Sequence, residues 1–475
     1  MNGSAGQVII ALAQAVALLM STIFITYTII IVIHFLRYRP GRPGDGSMLA
    51  WHLFVPALNE EKVIGPTVDY LRATFPAANV WVINDGSDDE TAPIVASRAE
   101  ADPLVHLISR CPPDARTGKG DALNAAYQAL NEWLPMSADR TGIIVGVVDA
   151  DGRPAANCLD VCAGDTLFGD PRVGSVQVLV RMINRDDRRP FPRRGGFANF
   201  LGQTLVRLQD VEFRVPIATI QVARQRTGTV GLGGNGQFSR LSALDMVTDE
   251  AGRPWRGALL EDYELGIHML LAGQRNEYTR ETHVDQEGLP DLRRLVRQRT
   301  RWGQGNMQCG IYLSKLWASR HVSKIGALEA TYYLLQPWLQ LAGSIVYPFP
   351  LAVFLANYLR NPSLMTAWLA QGWLMLFALY FILGLGPYLA WGAAYRRCER
   401  EAGVMGAIGL GFGYSLYVLL FYVTSWRAFC RIVRGRREWF KTRRNAEFLA
   451  DIESQTPPAT VGGIQVIREI MGESS

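Results

Sequence analysis

The sequence predicts an α/β domain with a mainly parallel sheet, inserted between transmembrane helices. Between Trp51 and Val284 short apolar runs alternate with helical stretches, the pattern of repeated βα units. Several of those runs end directly in carboxylates, and ligands of such sheets gather beyond the strand carboxyl ends. Long, nearly uncharged stretches stand on both sides of the domain and bring the mean hydropathy to +0.06.

The first of these, Val8 to Leu36, is long enough to cross about 30 Å of hydrocarbon at about 1.5 Å per residue. It lacks a cationic leader and a small-residue cleavage site, so an uncleaved anchor is expected. Arg37, Arg39 and Arg42 follow, which places the N-terminus outside and the domain in the cytosol. Late apolar runs occupy Pro337 to Tyr358, Ala367 to Trp391 and Val404 to Tyr422. Three spans would leave the C-terminus outside, whereas Arg427, Arg431, Arg434, Arg436, Arg437, Lys441, Arg443 and Arg444 favour the cytosol over the loop Arg396, Arg397 and Arg400. A re-entrant run, or a further span within Ile325 to Pro337, would reconcile the two.

The expected division is an anchor and basic flank (1–45), a cytosolic domain (46–288), amphipathic interface helices (289–325), transmembrane helices (326–430) and a basic segment with a tail (431–475). The net charge of +5 comes largely from the flanking arginines, which suit anionic head groups and phosphates; no nucleic-acid motif accompanies them. Six cysteines without CxxC spacing read as free thiols, with Cys158 and Cys162 at helical spacing.

Within the domain the expected strands are His52–Val55, Val80–Asn84, Val105–Ile108, Ile143–Val148 and Ser175–Val180. Pro56 is expected to end the first, with Asn59 capping a helix that opens on Glu60 and Glu61. At the tip of the second, Gly86 permits a sharp turn and Ser87 or Asp88 a cap, which leaves Asp85 as a ligand candidate. Lys119, between Gly118 and Gly120, precedes a helix start suited to an anion, although the phosphate-loop spacing fails. The fourth strand runs into Asp149-Ala150-Asp151. In extended backbone both carboxylates face one way, and oxygen-only ligation favours Mg²⁺ or Mn²⁺.

Gly231 to Gly236 permits close backbone approach to a ligand, and Glu261 and Asp262 open a helix whose dipole favours acidic residues. Farther on, Gln298, Arg301 and Trp302 share one helix face at spacings of three and four. A guanidinium fork suits phosphate oxygens and an indole suits a sugar face, while a basic helix on the membrane surface is the competing reading.

In this order the fragments Val55-Pro56…Asn59-Glu60, Asn84-Asp85-Gly86-Ser87, Gly118-Lys119…Asn124, Asp149-x-Asp151, Glu261-Asp262 and Gln298-x-x-Arg301-Trp302 resemble the membrane-integrated family-two glycosyltransferases, the cellulose, chitin, hyaluronan and poly-N-acetylglucosamine synthases. The resemblance implies a GT-A fold. It places Asp85 on the uridine of a UDP-sugar, with Pro56, Glu60, Asp149 and Gln298 also on the donor side. Asp151, supported by Asp149, would hold the metal; Lys119 and Arg301 would neutralise the diphosphate. Asp262 would be the general base beside Glu261. Trp302, with the Gly234-Asn235-Gly236 loop, would receive the acceptor. Departures are Leu260, where Thr is frequent, the single N-terminal span, and the missing gating segment after Trp302. They place the chain nearer the shorter chitin-oligosaccharide and poly-N-acetylglucosamine synthases.

The main expectation is therefore an inverting polymerase that passes a growing glycan through the bilayer, with accessory subunits or an oligomer left open. The alternative is transfer of one sugar to a lipid such as a diacylglycerol, ceramide or polyprenyl phosphate. An inactive scaffold is disfavoured by the joint presence of Asp149, Asp151, Asp262 and Trp302.

Overall fold

The computed structural model describes residues 3–361, 363, 367, 370, 372–398, 402–436 and 445. Arg400, Arg437, Lys441, Arg443, Arg444 and the tail from Ala446 lie outside them.

Helix α1 (Gly3–Leu36) leads into the domain. Its first part interleaves β1 (Ala50–Ala57), α2 (Ile64–Thr74), β2 (Asn79–Asn84), α3 (Thr91–Ala101), β3 (Val105–Ser109), α4 (Lys119–Trp133) and β4 (Ile143–Val147). After the short β5 (Arg153–Pro154) and α5 (Cys158–Cys162) come β6 (Val173–Met182), α6 (Gly196–Glu212), a π-helical turn (Phe213–Ile217) and α7 (Ala218–Thr227). Then follow β7 (Gln237–Arg240), α8 (Leu241–Met246), α9 (Glu261–Leu271), β8 (Arg275–Gln286) and α10 (Leu292–Cys309). The strands form one mixed sheet in the order β3-β2-β1-β4-β7-β6-β8-β5. Pairing is parallel from β3 to β4 and between β6 and β8, and antiparallel on both sides of β7 and between β8 and β5.

The central strands read as unbroken apolar runs because both faces are covered. Leu53, Val55 and Ala57 pack with Ile64, Val68 and Leu71 of α2 on one face. Phe54, Val145 and Val147 pack with Leu123, Ala126 and Leu130 of α4 on the other. Burying one such side chain stabilises by about 1.5–3 kcal/mol, enough for this two-sided core to set the register.

Pro56 does not end β1, contrary to expectation; the strand continues to Ala57. Ala57 accepts from the Asp85 N–H on the β2 side and Phe54 from the Val148 N–H on the β4 side. The missing proline N–H therefore faces the β4 side beyond Phe54, the last residue of β1 paired there. The helix start is also corrected. Residue 63 caps α2 without a side chain, and Asn59 instead takes a left-handed φ of 53°. From there its Oδ1 accepts from the Asp88 N–H, while its own N–H donates to Ser87 Oγ. At α3 the first N–H is accepted by Asp89 rather than Ser87 or Asp88.

After α10, α11 (Leu313–Ala318) leads to α12 (Lys324–Val346) and the helices Pro348–Arg360, Trp373–Cys398, Val404–Tyr417 and Leu419–Val433. The predicted run Pro337 to Tyr358 is thus divided between two helices, with Pro337 inside α12. Arg427 and Arg431, expected as a flank beyond the last span, lie within the helix Leu419–Val433. Among the described residues two stretches, Ala11–Leu36 and Val404–Val433, are long and apolar enough to cross a membrane by length and composition. Ile31 of α1, Leu208 and Val211 of α6, Leu295 of α10 and Trp391, Tyr395 and Tyr417 of the late helices share one core, which joins the domain to the flanking helices. All six cysteines are free.

Candidate active site

Strand carboxyl ends and helix N-termini converge on one large cavity of about 1550 Å³. Of the predicted site residues, Pro56, Glu60, Asp85, Lys119, Asp149, Gly234, Asn235, Glu261, Asp262, Gln298, Arg301 and Trp302 all line it. Gly236 and Asp151 do not.

Asp85 sits at the β2 tip, its carboxylate paired with Arg110 and accepting the Arg116 N–H at 3.0 Å. Burial raises its pKa, against the pull of the Arg116 N–H and the Arg110 guanidinium. The sequence reading missed Arg110, which stands just past the β3 end where a cation beside a strand-tip carboxylate was to be looked for.

Lys119 is the first residue of α4. Its Nζ donates to Asp149 Oδ1 at 2.6 Å and to the Gly234 carbonyl at 2.5 Å. Burial works to lower its pKa, but Asp149, Glu261 and Asp262 together raise it, so the ammonium stays charged. A Cβ at Gly234 would stand 3.0 Å from Lys119 Nζ and 3.2 Å from Asp262 Oδ2, so any side chain there would press on both charged groups. The loop is held from below, where Gln177 accepts the Gly233 N–H at 2.7 Å and donates to the Asn235 carbonyl at 3.0 Å. Gly236 answers to the strands instead, with its N–H on the Val147 carbonyl and a φ of 72°.

Glu261 and Asp262 open α9 and are both buried. Burial raises the Asp262 pKa, Glu261 raises it further, and the result is pushed up to about 7. Burial also raises Glu261, opposed by Lys119 and Arg301. Two carboxylates and two cations therefore share a water-poor recess, an arrangement suited to holding one proton near neutrality.

Asp149 and Asp151 are not in phase on a strand. β4 ends at Val147, and the Gly152 N–H on the Asp149 carbonyl at 2.7 Å closes a turn, so the alternation of extended backbone does not apply. The Asp149 side chain is 31% exposed beside Lys119. Asp151 Oδ2 instead accepts the Glu287 N–H at 3.0 Å.

Gln298, Arg301 and Trp302 reach the cavity from α10, whose N-cap Asp291 accepts the Arg294 N–H. Between them Arg299, unremarked in the sequence reading, is buried and bonds Glu212 Oε2 at 2.5 Å. Tyr417 donates to the same carboxylate oxygen at 2.7 Å. The Arg299 guanidinium lies 3.9 Å from the Trp302 ring centroid, and Phe213 meets that ring edge-on at 87°. The indole is thus held rigidly by protein groups. No local pattern marked the pair, since Glu212 stands in sequence among Arg207, Gln209, Asp210 and Arg214, and its burial comes only from packing.

From Asp262 the cavity continues past Tyr263 and Tyr333 into a limb between α1, α12 and the late helices, lined by Leu18, Phe24, Pro337, Leu339, Tyr388 and Phe421.

Residues 50–305 match the family model described as Glycosyltransferase like family 2. A β-monoglucosyldiacylglycerol synthase of Synechocystis is 31% identical over 272 residues, 56% of this chain and 50% of that protein. The chain spans about half the length of the first curated relatives it matches. A probable glycosyltransferase of Bacillus subtilis, YdaM, is 22% identical over 407 residues, covering 82% of this chain and 86% of its own length. Over 89% of this chain and 99% of the other, the structure is similar to the mannosyltransferase PcManGT of Pyrobaculum calidifontis, solved with GDP-Man and Mn²⁺, at a TM-score of 0.54 and 17% identity. The shared architecture is a GT-A-like α/β fold with a mixed sheet.

Proposed function

For this chain, a glycosyltransferase that belongs to the glycosyltransferase-like family 2, we propose transfer of a single sugar from a nucleoside diphosphate sugar to a membrane lipid, with inversion at the anomeric carbon. The observation that carries the reading is the continuous cavity, which joins the Asp85–Lys119–Asp262 recess to a limb between apolar helices. Relatives named for diacylglycerol glucosylation support it over the polymerising expectation, and two stretches apolar enough to cross a membrane are compatible with it.

In this reading Asp85 holds the nucleoside and Lys119 and Arg301 neutralise the diphosphate as it leaves. Asp262 takes the proton of the attacking acceptor oxygen, and a single displacement on a fixed donor inverts the centre. Gln298 and the Gly234–Asn235 backbone orient the donor and acceptor against that base, and Trp302 closes the recess beneath the acceptor.

Among the described residues no group of three or more His, Cys, Asp and Glu forms a closed metal cage. Asp149, 31% exposed to the cavity beside Lys119, is the predicted ligand that could hold Mg²⁺ or Mn²⁺ with water and substrate phosphates completing the shell, whereas Asp151, outside the lining and accepting the Glu287 N–H, does not fit as its partner. Such an ion supplies charge neutralisation on the leaving diphosphate. EDTA is expected to abolish transfer and added Mg²⁺ or Mn²⁺ to restore it; full turnover in EDTA sets the metal aside.

The proposal is tested by incubating purified protein in diacylglycerol-containing vesicles with a panel of radiolabelled nucleotide sugars. Label should extract into the organic phase as a lipid carrying one hexose by mass spectrometry. An aqueous polymer of many sugars, with no labelled lipid, overturns it.

A further inference from the structure

Beyond the nucleotide end, where Glu60 and Asp85 stand, charged side chains line the cavity in two further places. Around the reacting centre Lys119 and Arg301 stand among Asp149, Glu261 and Asp262. Beyond Asp262 the cations of the lining are closed into pairs, Arg224 with Glu329, which stands behind the lining, and Arg299 with Glu212. Arg224 Nε donates to Glu329 Oε1 at 2.7 Å, and the other oxygen of Glu329 accepts from Thr229 at 2.8 Å. Tyr27 of α1 donates to Glu329 at 3.2 Å, so the pair sits where α1, α7 and α12 meet. Arg299 and Glu212, also in the lining, are paired in the same way. Arg224 is 4% and Glu329 9% exposed, and water offers little screening there.

Two rings link the Arg224 pair to the base. Its guanidinium lies 4.2 Å from the Tyr333 ring centroid, and the Tyr333 ring meets, tilted and at 4.8 Å, that of Tyr263, the residue after Asp262. Whatever chemical group adjoins the acceptor oxygen meets this wall.

We infer that the acceptor is an uncharged lipid presenting a hydroxyl, of the diacylglycerol or ceramide type, and not a lipid phosphate; the Arg224–Glu329 pair enforces that choice. This rests on the lipid-acceptor reading and narrows it. A phosphate entering the limb would lose its hydration, and the guanidiniums of Arg224 and Arg299 are each already neutralised by a carboxylate, so no net positive charge compensates its own. A hydroxyl flanked by ester or amide groups carries no such cost, and neutral donors such as Gln336, Gln340 and Tyr332 line its way.

The test offers the wild-type protein diacylglycerol and undecaprenyl phosphate at equal mole fraction in one vesicle, with one labelled sugar nucleotide, and separates the two products. Diacylglycerol should be labelled at least about tenfold faster. In Glu329→Gln the guanidinium keeps its hydrogen-bonding neighbour and loses its counter-charge, so the ratio should fall at least about tenfold towards the phosphate. That ratio is internal to one preparation and is not moved by partial unfolding. Equal or faster labelling of undecaprenyl phosphate by wild type overturns the inference while leaving lipid transfer standing. A Glu329→Gln ratio equal to wild type removes the pair from the selection. Label found only in aqueous polymer removes the lipid reading itself, and the inference with it.

Discussion

Asp262→Asn is expected to lower turnover by roughly two to four orders of magnitude while nucleotide-sugar affinity stays within a few-fold of wild type. The amide is nearly isosteric, and its oxygen still accepts the Tyr263 N–H that Asp262 Oδ1 accepts at 2.7 Å. What disappears is the capacity to take a proton. The pH profile gives a second readout. Burial, then Glu261, raise the Asp262 pKa from 3.8 to about 7. A base works only when deprotonated, so wild-type transfer should rise with pH through an acid limb near 7, not near 4. Glu261→Gln removes the neighbouring negative charge and should move that limb to lower pH. Initial rates across pH 5 to 9, with nucleotide affinity measured separately, decide the matter. Near-normal turnover in Asp262→Asn takes this residue out of the mechanism.

The other large effect is on stability. Arg299→Ala should cost about 3–5 kcal/mol, because it leaves Glu212 buried in a cluster with Tyr417 and without its cation. Glu212→Gln in the Arg299→Ala background should recover part of that loss, since a neutral amide tolerates the site better than a lone carboxylate. Trp302 loses the cation stacked on its ring in the same variant, a contribution of about 0.5–2 kcal/mol. Arg299→Ala should therefore combine a lowered unfolding temperature with a raised acceptor KM, whereas Trp302→Phe should change acceptor KM with little loss of stability. Thermal unfolding in detergent, run beside initial-rate kinetics, separates these. An Arg299→Ala protein within about 1 kcal/mol of wild type would mean the Arg299–Glu212 pair is not what holds Trp302 in place.

What the sequence determined by itself is whatever depends on local order. Alternating apolar runs specified β1 to β4 and β6 and the helices between them, because a parallel sheet covered on both faces requires continuous apolar strands. Acidic residues at element ends pointed to Asp85, Asp149 and Asp262, which line one cavity, because strand tips and helix N-termini are where backbone geometry leaves room and charge for ligands. The short polar β7 and the long β8, with Arg275, Glu277, Arg280 and Glu281 in it, carried no such pattern, since their pairing is set by partners far along the chain. Only the tertiary structure turned Asp151 away from Asp149, by closing a turn where the strand was expected to continue. Only there do Arg224 meet Glu329 and Arg299 meet Glu212, pairs about a hundred residues apart. Periodicity reports how a segment meets its immediate surroundings. Which charge finds which, and hence what a cavity accepts, is decided by the chain returning to itself, where desolvation makes each unpaired charge too costly to leave.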